Sequence, residues 1–273
     1  MMAYDSGRGV TVLFGGFTAS GDVNDTWEWN GQTWTQRFPA NSPPSRAAVQ
    51  MVYDQNSGTS VLFGGPDSGT WVWDGNNWTE KIPAHTPPPV MRAGFTYDQY
   101  RGVAVLFGGY WYNNGVNTYL TNTWEWNGTD WTEVFPSTEP AARSGVSLSY
   151  DPGRYVSVLY GSVSLNDTWE WNSSTWTERY PATTPGVRYD MQLIYDLWRG
   201  ATVFFGGNND QGYFGDTWEY DGTDWYLLST PTHPSNRGRY GFAYDTVHGT
   251  AILFGGDTIG AGEGPIADTW IWR

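Results

Sequence analysis

Six short apolar runs, each closed by small residues, punctuate the chain: VLFGG at 12–16, 61–65 and 105–109, VLYGS at 158–162, VFFGG at 203–207 and ILFGG at 252–256. A Tyr-Asp pair precedes each run, with the carboxylate at Asp5, Asp54, Asp98, Asp151, Asp196 and Asp245, and the run starts seven positions after the Asp in all six copies. A constant separation of this length marks a short hairpin whose turn sets the register. A Thr-Trp pair follows each run, at Trp27, Trp71, Trp124, Trp169, Trp218 and Trp270. In the first five copies a second Trp stands seven residues later (Trp34, Trp78, Trp131, Trp176, Trp225), across NG, DG, NG, NS and DG, the residues of turns that need positive φ.

Each repeat therefore predicts four strands, named a to d in chain order; in the second copy they read AAVQMVYD, TSVLFGG, TWVWDG and NWTEK. Consecutive hairpins make an antiparallel meander. Successive apolar runs start 49, 44, 53, 45 and 49 residues apart, a period near 50 that with strand-like content points to propeller blades. Blades stacked side against side bury both faces of each sheet, so bulky aromatics need not alternate cleanly with polar residues. The expectation is one all-β domain over 1–273, with repeats at about 1–39, 40–83, 84–136, 137–181, 182–231 and 232–273. The sixth copy stops at DTWIWR and the first begins inside strand a, which predicts a last blade lacking its outer strand. Closure would then rest on side-chain packing between blades one and six, unless another chain or a missing segment supplies the strand.

A double Gly closing an apolar strand, followed by two aromatics with six residues between them, resembles the kelch repeat, and the match spans essentially the whole chain. It departs in carrying Trp where kelch repeats commonly carry Tyr, and in Ser162, which replaces the second Gly of the fourth copy. The resemblance implies a six-bladed kelch-type β-propeller with strand a lining the central channel and strand d outermost. It also implies a bacterial exported protein whose signal is absent from this chain, the Trp-rich, Lys-poor composition being similar to that of such members.

Composition narrows the function. A formal charge of −14 with only one lysine, Lys81, offers no long cationic surface for a nucleic acid or an anionic membrane. The absence of Cys excludes disulfides, thiolate nucleophiles, Cys-ligated zinc and the Cys-Tyr cofactor of galactose-oxidase-like kelch enzymes. His85, His233 and His248 have no metal-ligand spacing, so neither a metal nor a cofactor is expected. The Asp before each Thr-Trp (Asp25, Asp167, Asp216, Asp268) lacks the dense oxygen spacing of a calcium loop and reads as a backbone acceptor where the insert re-enters strand c.

In a meander propeller the a–b and c–d turns share one face, and the b–c inserts and d–a connections share the other. Length varies only between strands b and c, from PDSG (66–69) to YWYNNGVNTYLTN (110–122), so the second face is the expected binding surface. Two features mark it. Arg46, Arg143, Arg188 and Arg237 stand seven residues before the Tyr of their repeats, with Arg92 and Arg239 five before, and radial symmetry would gather them at a channel mouth suited to an anion. The alternative is that each Arg pairs with a carboxylate or carbonyl of the next blade. The second feature is aromatic: Tyr110, Trp111 and Tyr112, with Tyr119, Tyr213 and Phe214, either recognise a partner or plug the channel.

The favoured expectation is a non-catalytic recognition scaffold that binds a protein segment, a glycan or a small anionic ligand through Arg46, Arg92, Arg143, Arg188, Arg237 and Tyr110 to Tyr112. One alternative, implied by the resemblance, is a mutarotase-like enzyme that holds an acidic sugar on the Arg cluster and shuttles a proton through Glu263 or His233. Another is a propeller fragment or engineered repeat array with no ligand.

Overall fold

The computed structural model describes residues 1–65, 67–258 and 265–273. No helix occurs among them. Five antiparallel four-stranded meanders and one of three strands form a ring of six blades. Blade 2 is representative, with strands Gln50–Asp54, Thr59–Phe63, Thr70–Trp73 and Trp78–Lys81. The a strands contact one another in sequence around the axis and the sixth meets the first, so the ring is closed. Blade 6 consists of Gly241–Asp245, Thr250–Phe254 and Thr269–Trp272.

The repeated motifs are mostly inter-blade contacts. Each outer Trp donates its indole N–H to the Thr that opens strand c of the preceding blade: Trp78 to Thr26, Trp131 to Thr70, Trp176 to Thr123 and Trp225 to Thr168, all at 2.9 Å. The same indoles pack 4.7–5.0 Å from the last aromatic of that blade's strand b, namely Phe14, Phe63, Phe107 and Tyr160. An indole suits this seam because its apolar body fills the gap while its N–H needs one acceptor.

Closure across blades 1 and 6 repeats the pattern. Trp34 donates to Thr269 at 2.8 Å and lies 4.9 Å from Phe254. Met2, Tyr4, Trp29, Ala243 and Ile252 form a core cluster spanning both blades. Packing and a side-chain hydrogen bond thus close the ring, as the strand count led one to expect.

The first Gly of each pair is conformationally obligatory. Gly206 has φ +60°, and a Cβ there would lie 2.5 Å from the Arg237 carbonyl oxygen. At the second position the N–H bonds to the next blade's d–a connection, as in Gly109 to Arg143 O at 2.8 Å and Ser162 to Arg188 O at 3.0 Å. Ser162 makes that bond without positive φ, so the substitution keeps the seam intact.

The Tyr-Asp pairs form a belt. Tyr97 of blade 3 donates to Asp54 of blade 2 at 2.5 Å. The equivalent Tyr of every other blade faces the Asp of the blade before it, Tyr4 facing Asp245 across the closure. The Tyr4 and Tyr150 hydroxyls lack a bond of good geometry. Burial, reinforced by the facing carboxylate, raises the pKa of these phenols, that of Tyr195 to about 12.

Candidate functional site

The Arg ring anticipated at the channel mouth is divided by the structure into two sets. Arg46, Arg143, Arg188 and Arg237 are buried. Each forks onto the carboxylate that precedes strand c of its own blade: Arg46 on Asp67 (2.8 and 2.8 Å), Arg143 on Asp167 (2.5 and 2.7 Å), Arg188 on Asp216 (2.7 and 3.2 Å) and Arg237 on Asp268 (2.5 and 3.0 Å). Arg46, Arg188 and Arg237 also donate to the carbonyl of the first Gly of the pair, at 2.9–3.2 Å. The partner is therefore in the same blade, not the next, because a and c flank b and both ends meet at the Gly-Gly corner.

Asp67 accepts the Gly69 amide at 3.0 Å, a backbone bond of the kind expected at this corner, and indole donors add to the set. Trp27, Trp169, Trp218 and Trp270 donate their indole N–H to Asp25, Asp167, Asp216 and Asp268 at 2.6–2.7 Å. Burial raises the pKa of Asp167 and Asp268, but the bonds from Arg143 and Trp169, and from Arg237 and Trp270, outweigh it and leave both below the usual carboxylate value. Blade 3 provides an internal control. It has Val90 at the Arg position and Asn122 at the Asp position, so the two partners are lost together. A void of about 10 Å³ remains there, lined by Pro87, Pro88, Val90, Leu120 and Trp124 among others.

Arg92 and Arg239 belong to the other set and face the axis. Asp190 lies between them, 3.5 Å from Arg92 Nε and 2.8 Å from Arg239 Nε, and Arg239 also approaches Asp257 at 3.3 Å. Beside these side chains the backbones of blades 2 to 6 are linked to one another. Residues Ala48, Arg92, Gly145, Asp190 and Arg239 occupy one equivalent position in blades 2 to 6, all at φ between 54° and 71°. Each N–H after the first bonds to the carbonyl of its predecessor in the ring, at 2.7–3.4 Å. Four non-Gly residues in this region mean strain of order 1 kcal/mol each, held by the four bonds that link the five positions.

A cavity of about 210 Å³ lies toward the opposite face, among the a strands and a–b turns, ringed by Tyr4, Tyr53, Tyr97, Tyr150, Tyr195 and Tyr244, with an apolar floor that includes Met51, Phe95 and Leu148. No residue nominated from the sequence lines it.

The variable face carries raised hairpins instead. In blade 3, Tyr110–Asn113 pairs with Val116–Tyr119 as a separate two-stranded sheet. Tyr110 packs on Met91 and beside Tyr119 at 6.3 Å, so its ring anchors the hairpin. Trp111 is half-buried, whereas Tyr112 is 57% and Tyr119 45% exposed. Strand alternation puts Tyr110, Tyr112, Asn117 and Tyr119 on one side of the hairpin. None of these rings lines the cavity among the a strands. Blade 1 raises a similar extension with Phe17 exposed, and blade 5 a shorter one. There Phe214 lies under Arg188, 4.2 Å from the guanidinium, and Tyr213 donates to Asp257. His233 Nδ1 contacts the Pro234 carbonyl, and Glu263 lies outside the described residues. Among the described residues no three His, Asp or Glu converge as metal ligands.

A second buried charge network escaped the sequence reading. Glu28, Glu125 and Glu170, between the two aromatics of strand c, accept from Arg8, Arg101 and Arg154 in the a–b turns. They also accept from Trp73, Trp171 and Tyr220 of the following blade. Where strand c has Val72 or Ile271 instead, the facing indoles of Trp126 and Trp29 have no acceptor among the described residues. The spacing Asp-x-x-Arg at 5/8, 98/101, 151/154 and 196/199 was the available signal.

Comparison of the chain with protein-family models finds no match, and comparison with curated proteins finds none.

Proposed function

We propose that this kelch-type propeller is a recognition module that binds an extended protein segment on its hairpin face. The observation that supports this reading is the Tyr110–Tyr119 hairpin, whose Tyr112 and Tyr119 rings are exposed beside Asn117 on a rigidly held strand pair. Rigid aromatic rings offer contact area at low entropic cost and are typical anchors of recognition surfaces. The axial Arg92, Asp190, Arg239 and Asp257 cluster supplies charge of both signs next to them. The breadth of a surface spanning several hairpins suits a polypeptide better than a single sugar. A mutarotase-like reading loses its carboxylate clamp, since Arg46, Arg143, Arg188 and Arg237 are buried against their own Asp partners.

Peptide and glycan arrays probed with wild type and with Tyr112→Ala plus Tyr119→Ala test the proposal. Peptide ligands retained by wild type and lost by the variant, at unchanged melting temperature, are the expected result. Binding only to glycans, or peptide binding indifferent to the substitutions, would overturn it.

A further inference from the structure

The cavity among the a strands is lined by no Asp, Glu, Lys, Arg or His. The belt carboxylates beside it are engaged elsewhere: Asp5, Asp98, Asp151 and Asp196 by the Arg three residues on, Asp245 by His248, and Asp54 by Tyr97 and Ser57. An ion entering the cavity would shed water without meeting an opposite charge, which disfavours charged ligands. Gln99, Leu197 and Thr246 are exposed and line one end, so the cavity reaches solvent among the a–b turns. An apolar cavity of about 150 Å³ takes benzene. At about 210 Å³ this one has room for a single six-membered ring with substituents.

Several polar groups in its wall are unspent. Ser149 is 4% exposed, and its hydroxyl has no hydrogen-bond partner among the described residues. Thr96 accepts the Tyr150 N–H at 2.9 Å and keeps its own proton to donate. Gln192 accepts the Phe242 N–H at 2.9 Å through Oε1, which leaves its Nε2 without an acceptor among the described residues. At the position of Thr96 and Ser149, just before the belt Tyr, the other blades place Ala3, Val52, Ile194 and Ala243, which also line the cavity. Hydroxyl and amide groups are thus gathered on blades 3 to 5, and the rest of the wall at that level is aliphatic.

Aromatic side chains stand in the a–b turns of the same three blades. Tyr155 has φ +58°, where the other five turns have Gly9, Gly58, Gly102, Gly200 and Gly249 at 63–70°. A bulky side chain at a left-handed position is a strained choice that the turn itself does not require. The ring gains no burial from it: Tyr155 is 58% exposed and meets Tyr100, 74% exposed, edge-on at 4.9 Å. Trp198, 77% exposed, follows Leu197 in the blade 5 turn, whereas the turns of blades 1 and 2 hold Ser6, Gly7, Gln55 and Asn56.

We infer that this cavity is a second binding site, separate from the hairpin face, and that it takes a neutral polyhydroxylated ring: the end pyranose of an oligosaccharide sits among Thr96, Ser149 and Gln192, and the following units stack on Tyr100, Tyr155 and Trp198. A pyranose presents hydroxyls at its edge and C–H groups on its faces. Those match, in turn, the polar wall, the aliphatic wall and the aromatic rim.

The probes are the methyl pyranosides of glucose, galactose, mannose and xylose, titrated calorimetrically into the 273-residue chain, followed by the β-1,4-linked trisaccharide of the sugar bound. The expected result is saturable one-site binding of at least one pyranoside in the millimolar range, as befits so small a ligand, and tighter binding of the trisaccharide. Ser149→Ala should weaken both roughly three- to tenfold through loss of one hydrogen bond, at unchanged melting temperature because the hydroxyl has no partner within the protein. Tyr155→Gly should raise the melting temperature by relieving the turn, yet weaken the trisaccharide about three- to tenfold more than the single sugar. Tyr112→Ala plus Tyr119→Ala should leave sugar binding unchanged, which separates this site from the hairpin face. Failure of all four pyranosides to bind, affinities untouched by Ser149→Ala or Tyr155→Gly, or preference for tetramethylammonium or glucuronate over the neutral sugars would each overturn the inference.

Discussion

Replacing Arg143 by Val tests whether the repeated Arg holds the blade together or waits for a ligand. The side chain is fully buried, makes two bonds to Asp167 and donates to the Ala141 carbonyl at 2.9 Å. Removing one member of a buried pair strands the other charge, at a typical cost of about 3–5 kcal/mol. Asp167 keeps the Trp169 indole and is 21% exposed, so water relieves part of that, and the lower end, about 3 kcal/mol, is expected. Adding Asp167→Asn recreates the Val90 and Asn122 combination of blade 3. The stranded charge disappears while an acceptor for Trp169 remains. The double variant should therefore lie within roughly 1–1.5 kcal/mol of wild type, the residue reflecting a small void and the lost carbonyl bond. Urea denaturation at neutral pH, followed by tryptophan fluorescence, measures both. An Arg143→Val protein within 0.5 kcal/mol of wild type, a threshold set by ordinary surface substitutions, would refute the structural role. So would a double variant no more stable than the single.

Other consequences can be checked independently. Ser173 turns the c–d corner of blade 4 at φ +79°, where Gly31, Gly75, Gly128 and Gly222 sit at 93–97°; Ser173→Gly should stabilise the chain by about 1 kcal/mol, read as a raised urea midpoint. Asp167 and Asp268 have pKa values lowered on folding, so their stabilisation is present above the unfolded carboxylate value and lost as pH falls through the lower folded value; stability measured downward from about pH 4 should decline, less steeply in the Arg143→Val plus Asp167→Asn protein. The belt phenols have pKa values raised on folding, so their contribution is intact below the unfolded value of about 10 and lost as pH rises through the folded values. The belt's share of phenolate absorbance, taken as the difference between wild type and a Tyr97→Phe protein, should therefore appear only with loss of tertiary structure in alkali; its appearance near pH 10 with the fold intact would contradict the belt.

Register was legible because it is written in distances along the chain. Seven residues from Asp to apolar run and seven from Trp to Trp specify two hairpins in every repeat, and hairpin geometry is local. Repetition made the ring legible too, since a sheet with two aromatic faces must be covered on both. The destination of each polar side chain was not legible to the same degree. Arg143 and Arg92 both lie just before strand a, yet one is buried on Asp167 and the other faces Asp190 across the axis.

That difference is tertiary. A two-residue offset at a left-handed position turns Arg92 and Arg239 toward the axis, whereas their neighbours point into the blade corner. Spacing within the chain determined how many blades form and where the turns lie. Only the tertiary structure decided which charges are cancelled and which side chains line the cavity among the a strands. Those properties depend on residues distant in sequence meeting at a blade corner, as Arg143 meets Asp167, or across a seam, as Trp78 meets Thr26, and local periodicity carries no information about what the opposite wall supplies.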